Sequence, residues 1–271
     1  MALYLPRMKN LLTRYGPVAL VTGASSGIGE AFSRHLAAAG LTVFAVARRG
    51  DRLQDLRDGV AASGVGEVIP IVADLRDSGA ADEVMRAVTA RDLEVGLLVN
   101  NAGYGRLGLL EQVPLTESLG MVDLNCRAVV DLTWRIVPGM KRRARGGVII
   151  LSSVVGTIPA PWFAVYSATK AFDLYFGEAL YGECKGSGVD VVTVLPGLTR
   201  TEFQAGSGLR DYHSPYRSAE QVVASALAAL GRKPIVVDGP FNKLLSHGAR
   251  FLPRSVVAAL SRLVMRRELR L

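Results

Sequence analysis

The stretch that most constrains this chain is PVALVTGASSGIG, residues 17–29. A short apolar run over 17–22 meets three glycines, Gly23, Gly27 and Gly29, and a helical pattern then closes at Gly40. The order predicts a buried strand, a glycine turn and a helix. Such a turn lets the backbone bend sharply and approach a phosphate, while the helix N-terminus supplies amide donors and the positive end of its dipole. An ordinary tight strand–helix turn would use the same residues. Three glycines so close behind a buried strand favour the phosphate, and Ser25, Ser26 and Ile28 join them as nucleotide-binding candidates.

The alternation continues. Residues 41–47 read as a second buried strand that ends in Arg48-Arg49, with no carboxylate before Asp51. An acid there would bind a ribose 2′-hydroxyl, whereas an arginine pairs with a 2′-phosphate and stacks on adenine. This end therefore reads as a preference for NADP(H) over NAD(H), a solvated basic loop being the alternative. A charged helix over 51–64 leads to a third strand over 67–77, carrying Asp74-Leu75. Asp74 is a candidate acceptor for the adenine amino group, or a loop-capping residue. A helix over 79–90 precedes GLLVNNAG (96–103), a strand with Asn100, Asn101 and Gly103 at the end where open parallel sheets bind ligands. A long helical stretch from Leu115 to Pro138 contains Asn125, a polar side chain costly to bury unless bonded. A strand over 147–152 delivers Ser153. A helix over 164–185 follows, then a strand over 189–197 stopped by Pro196-Gly197, a helix over 219–230 and a strand over 234–239.

This pattern predicts the α/β class: one doubly wound Rossmann-type domain over 17–240, with a seven-stranded, mainly parallel sheet and helices on both faces. Residues 1–16 read as an N-terminal extension and 241–271 as a helical tail.

Tyr166 and Lys170 lie four apart on the 164–185 helix, so their side chains share one face. The pair alone is equally met by a half-buried tyrosine beside a solvated lysine. Chemically, an ammonium favours the phenolate of a neighbouring tyrosine and lowers its pKa from about 10. Tyr166 can then exchange a proton with a hydroxyl or carbonyl oxygen that Ser153 also holds.

Taken together these residues resemble the short-chain dehydrogenases/reductases, of the shorter oxidoreductase branch. The resemblance covers about residues 17–240. It rests on TGASSGIG at 22–29, DL at 74–75, NNAG at 100–103, Asn125, SSVVG at 152–156, YSATK at 166–170 and PGLTRT at 196–201. It implies Tyr166 as general acid/base, with Lys170 holding the nicotinamide ribose and depressing the Tyr166 pKa. Ser153 would orient the substrate oxygen, and Asn125 would kink its helix and hold a water in a proton relay. Gly23, Gly27 and Gly29 would line the pyrophosphate. Asn101, Ala102 and Gly103 would lie by the adenosine ribose, Asp74 and Leu75 by the adenine, and Pro196 and Gly197 by the cofactor. Thr201 would bond the carboxamide. Thr199 stands where the family usually has an aliphatic residue, so both threonines are candidates. The family also implies a homodimer or homotetramer through the helices that carry Asn125 and Tyr166.

On the substrate side, residues 198–217 read as a mobile lid, and His213 within it as a solvated histidine. Tyr104 and Trp162, with Val155, Pro159, Leu198 and Phe203, are candidate pocket residues for an apolar carbonyl or alcohol. The leading expectation is NADP(H)-dependent interconversion of a carbonyl and an alcohol. The alternatives are an NADPH-binding regulator without turnover and a membrane-surface reductase of lipid-like substrates.

Composition bounds the rest. The chain has 271 residues, 49% of them hydrophobic, enough for one large core and too many for disorder. Cys126 and Cys184 lack metal or redox spacing, which suits a reduced, cytoplasmic protein with no metal. No apolar run reaches the length of a membrane span, and the first residues do not read as a secretory signal. Net charge is +8, and residues 241–271, with seven Lys/Arg and one acid, carry +6 of it. The remainder is near neutral, so nucleic acid binding is not implied. Val256, Val257, Leu260, Leu263 and Val264 fall on one face of the tail helix. That face can dock on the core, the lid or a second subunit, or lie on an anionic membrane.

Overall fold

The structure is a computed structural model that describes residues 11–208, 216–248 and 251–269. His213 and the middle of the expected lid lie outside the described residues, as do residues 1–10.

Seven strands form one sheet: β1 (Val18–Thr22), β2 (Thr42–Ala47), β3 (Glu67–Val72), β4 (Leu97–Asn100), β5 (Gly146–Leu151), β6 (Val189–Leu195) and β7 (Ile235–Val237). Their order is β3-β2-β1-β4-β5-β6-β7. Every pairing is parallel, so the mainly parallel expectation becomes wholly parallel. The chain starts at β1, winds outward to β3, then returns beside β1 as β4 and winds the other way. The reversal opens a crevice above the carboxyl ends of β1 and β4.

The helices are α1 (Gly27–Ala38), α2 (Gly50–Ala61), α3 (Ala80–Thr89), α4 (Leu115–Val122), α5 (Ala128–Arg142), α6 (Ala164–Cys184), α7 (Phe203–Ser207), α8 (Ala219–Ala229), α9 (Pro240–Gly248) and α10 (Arg254–Leu269). Alternate residues of each strand face opposite layers. Ala19 and Val21 of β1 pack with Phe32 and Leu36 of α1 and with Val222 of α8. Val18 and Leu20 pack with Val84 of α3 and with Leu132 and Met140 of α5. Burial on both faces is why these strands read as unbroken apolar runs. Residues 11–15 are helical, and Tyr15 is buried, its hydroxyl donating to Asp190 at 3.0 Å.

Two elements differ from their expected extents. The third strand stops at Val72 rather than 77, because the chain turns at Asp74, whose carbonyl accepts from the Asp77 amide at 2.9 Å. The helix expected over Leu115–Pro138 runs on through Pro138 to Arg142, and one π-helical turn, Asp123–Arg127, interrupts it. In the tail, α10 divides its apolar face. Val257 is buried and Met265 packs near Tyr166, but Val256, Leu260, Leu263 and Val264 are exposed. No helix among the described residues is long and apolar enough to cross a membrane.

Candidate active site

The site forms above the carboxyl ends of β1, β4, β5 and β6. Thr22, the last residue of β1, joins two of them. Its hydroxyl donates to Val99 O at 3.3 Å and accepts from the Asn101 and Ala102 amides, each at 2.9 Å. Asn101 answers through its side chain, Nδ2 donating to Thr22 O at 2.8 Å. The glycine turn is thus fixed against NNAG. Gly23 has φ +66°, a conformation that costs glycine nothing. A Cβ on Gly29 would lie 2.2 Å from Gly23 O, so only glycine lets α1 begin this close. A Cβ on Gly103 would sit 3.1 Å from Asn125 Oδ1 and 3.3 Å from Lys170 Nζ. The open backbone edge therefore runs from the glycine turn to the polar centre, a cradle that fits a dinucleotide.

Past the carboxyl end of β2 the two arginines separate. Arg49 lies over the turn, its Nη2 donating to Ser25 Oγ at 3.1 Å and Ser26 Oγ at 2.9 Å, while Nη1 pairs with Glu202 at 2.7 Å. Arg48 is exposed, 3.9 Å from Asp74. Asp74 is held mainly by Arg76, whose Nη2 donates to Oδ2 at 2.6 Å, and this bond keeps the carboxyl below its ordinary range. Leu75 is buried, and its carbonyl accepts from Arg127 at 3.2 Å, fixing the loop after β3 to the π-helical turn.

That turn also presents Asn125, fully buried in the helix interior. Its Oδ1 accepts from the Tyr104 amide at 3.1 Å, and its Nδ2 donates to Tyr104 O at 3.0 Å and Thr169 Oγ1 at 2.9 Å. Both ends of the amide are satisfied, which removes the cost of burying it. Ser153, just past β5, accepts from the Val155 amide at 3.2 Å, and its hydroxyl lies 3.4 Å from Pro196 O.

Tyr166 and Lys170 do share one face of α6, and both are buried. The Tyr166 ring meets Phe163 edge-on at 5.1 Å and Phe203 at 5.4 Å. Burial pushes the phenol pKa up, and Lys170 and the Ser153 hydroxyl pull it down by less, so the net shift is upward. This reverses the expected depression, because the phenolate would have to form within an apolar cluster. Lys170 donates to Leu151 O at 2.7 Å and to Asp173 Oδ2 at 2.9 Å. Burial opposes its charge, but Asp173 and Tyr166 together outweigh that and raise its pKa.

In the loop after β6, the two threonines take different directions. Thr199 is buried and its hydroxyl donates to Gly197 O at 3.1 Å. Thr201 lies against the glycine turn, its Cγ2 2.8 Å from where a Cβ of Gly27 would be. Of the substrate candidates, Tyr104 packs on the Tyr166 cluster but commits its hydroxyl to Glu117 O at 2.8 Å. Trp162 has φ +62°, strained for a bulky residue by on the order of 1–3 kcal/mol. Its carbonyl accepts from the Gly108 amide at 2.9 Å, which helps to hold that conformation.

The sequence reading gave no role to Thr22 and Thr169, which lie inside the quoted motifs, and it missed Arg76, Asp173, Glu202 and Met265. Arg76 and Asp173 sit at short spacings from named residues and offered a local signal. Glu202 meets Arg49 across 153 positions and offered none.

A wholly parallel sheet with a glycine turn at its switch point defines a nucleotide-binding protein of the Rossmann class. The profile of the short chain dehydrogenases matches residues 17–210. A short chain dehydrogenase of Pseudocercospora fijiensis is 40% identical over 194 residues, 70% of this chain and 62% of that relative. A very-long-chain 3-oxoacyl-CoA reductase of Rattus norvegicus is 29% identical over 245 residues, 89% of this chain and 77% of the relative. A chain from a structural study of 7beta-hydroxysteroid dehydrogenase stereoselectivity superposes with a TM-score of 0.85 at 29% identity, covering 93% of this chain and 98% of that one. A short-chain dehydrogenase from Sphingobium yanoikuyae in complex with NADPH superposes with a TM-score of 0.75 at 31% identity, covering 86% and 93%. This chain belongs to the short-chain dehydrogenase/reductase family. It is an oxidoreductase of carbonyl–alcohol pairs that uses a nicotinamide nucleotide.

Proposed function

We propose that the protein is an NADP(H)-dependent reductase of bulky apolar carbonyls, with Tyr166 as the proton donor. The observation that carries this is the buried Tyr166, set between the polar Asn125–Lys170 centre and an apolar cluster of Met121, Phe163, Phe203 and Met265. A nicotinamide bound along the cradle would supply the hydride. Tyr166 would give its proton to the carbonyl oxygen, which becomes the alcohol oxygen, Ser153 would orient that oxygen, and Lys170 would hold the nicotinamide ribose. The steroid and long-acyl names among the relatives agree with the apolar surround.

Arg49, beside Ser25 and Ser26, and Arg48 next to it are the groups that would pair with a 2′-phosphate. NADPH should bind more tightly than NADH in a fluorescence titration, and Arg49→Ala should lose about 10–100-fold in NADPH affinity while leaving NADH nearly unchanged. Equal affinities in the intact protein would return the assignment to NAD(H).

We take residues 17–240 as the catalytic unit and propose that it pairs with a second copy through α5 and α6. Trp134 is 72% and Tyr175 66% exposed, and Val130, Trp134 and Phe172 line a shallow groove of about 430 Å³ on this face. Trp134→Glu should convert an oligomer to a monomer in sedimentation velocity, with secondary structure intact.

A second reading, work at an anionic membrane surface, is favoured by α10. Its exposed Leu260, Leu263 and Val264 lie beside Arg262 and Arg266. Flotation with vesicles containing anionic lipid should carry the protein at low salt and release it at high salt. Absence of flotation at low salt would remove this reading.

A further inference from the structure

Arg49 makes a polar contact through each of its three guanidinium nitrogens. Nε and Nη2 donate to Ser25 Oγ at 3.2 and 3.1 Å, and Nη2 donates also to Ser26 Oγ at 2.9 Å. Nη1 donates to Glu202 Oε2 at 2.7 Å. The other carboxylate oxygen, Oε1, lies 3.7 Å from Nη2 of Arg52, in the first turn of α2. One carboxylate therefore stands between two guanidiniums, beside the serines of the glycine turn. It comes from the loop after β6, next to Thr201, which lies against the same turn.

A carboxylate in that place does what a phosphate would do there, since it accepts from Arg49 beside Ser25 and Ser26. The pair is open to water, with Glu202 50% and Arg49 43% exposed. An ion pair so exposed is weak and exchanges readily. A phosphate monoester carries nearly two negative charges at neutral pH and three acceptor oxygens, so it is the stronger partner for a guanidinium. A 2′-hydroxyl carries no charge and gives Arg49 no reason to leave Glu202.

We infer that Glu202 is a specificity-determining residue that competes with the 2′-phosphate of NADP(H) for Arg49, holding NADPH affinity below what the arginines alone would give and leaving NADH affinity as it is. The inference rests on Arg49 as the group that reads the 2′-phosphate. NADPH must release Arg49 from Glu202 as it binds, and this cost is deducted from its affinity. NADH leaves the pair in place and bears no such cost.

Titration with NADPH and with NADH, followed by the fluorescence of the reduced nucleotide, reads the competition without turnover. Glu202→Gln should bind NADPH about 3–10-fold more tightly than the intact protein at low salt, with NADH changed by less than about twofold. In an Arg49→Ala background the same substitution should gain clearly less, because the contested group is gone. Unchanged or weaker NADPH binding by Glu202→Gln, with Arg49→Ala still losing NADPH affinity, overturns the competition and leaves Arg49 as the phosphate reader. An equal gain for NADH overturns it too, since relief of general negative charge would then account for the change. So does an equal gain in the Arg49→Ala background, which would mean that Glu202 acts on the phosphate directly. NADPH affinity unmoved by Arg49→Ala removes the underlying reading, and the competition with it.

Discussion

Tyr166→Phe should lower kcat for carbonyl reduction by about 10²–10⁴-fold, the range a positioned general acid contributes. The substitution removes one oxygen and keeps the ring. The contacts to Phe163 and Phe203, at 5.1 and 5.4 Å, are therefore preserved, and so is the apolar cluster around them. Nucleotide affinity should change little, because the glycine turn, Asn101 and Arg49 are untouched. That split, a large loss in kcat with an intact nucleotide titration, separates a lost proton donor from a damaged fold. A variant that kept its turnover would mean that another group delivers the proton, and Ser153 would be the next to replace.

Lys170→Ala should cost about 3–5 kcal/mol of stability at neutral pH, because it strands a buried carboxylate. The pH dependence follows from Asp173. Its carboxyl is raised from 3.8 to about 6, by burial first, with Lys170 pulling the other way. A raised carboxyl binds its proton more tightly folded than unfolded. The stability it contributes is therefore greatest in acid and is lost as pH climbs from about 4 towards about 6. Without Lys170 that loss extends to higher pH, since no cation remains to hold the carboxylate. Lys170 itself, raised above its ordinary value, contributes fully at neutral pH and loses its effect only when it deprotonates in strong alkali. Denaturant unfolding of both proteins should show a small gap near pH 4 that widens through the neutral range, until the uncompensated carboxyl of the variant ionises. An equal gap at both would mean that the lysine stem, rather than its charge, stabilises this region.

Much of the fold was legible because its signals are local. Strands buried on both faces must be apolar without interruption, and turns that approach a phosphate must be glycine. Residues 17–29 carry both signals, an apolar strand and a glycine turn, and at Gly23 and Gly29 the structure shows the backbone contacts that forbid a side chain. The Tyr166–Lys170 pair was legible for a similar reason, since helical periodicity fixes which residues share a face. The third strand was read too long because apolar residues continue past Val72, and only the Asp74–Asp77 turn ends it.

What the sequence by itself determined was the alternation of strands and helices, the glycine turn and the shared helix face of Tyr166 and Lys170. Each depends on neighbours a few positions apart. What only the tertiary structure decided was the company those groups keep. It turned Arg49 rather than Arg48 onto Ser25 and Ser26, drew Asp74 to Arg76, and set Thr201 rather than Thr199 against the glycine turn. It also buried Asp173 against Lys170 and reversed the expected shift of Tyr166. Charge and burial depend on distances through space, and a phenol's proton is governed by what surrounds it once β5, the π-helical turn and α6 have closed around it.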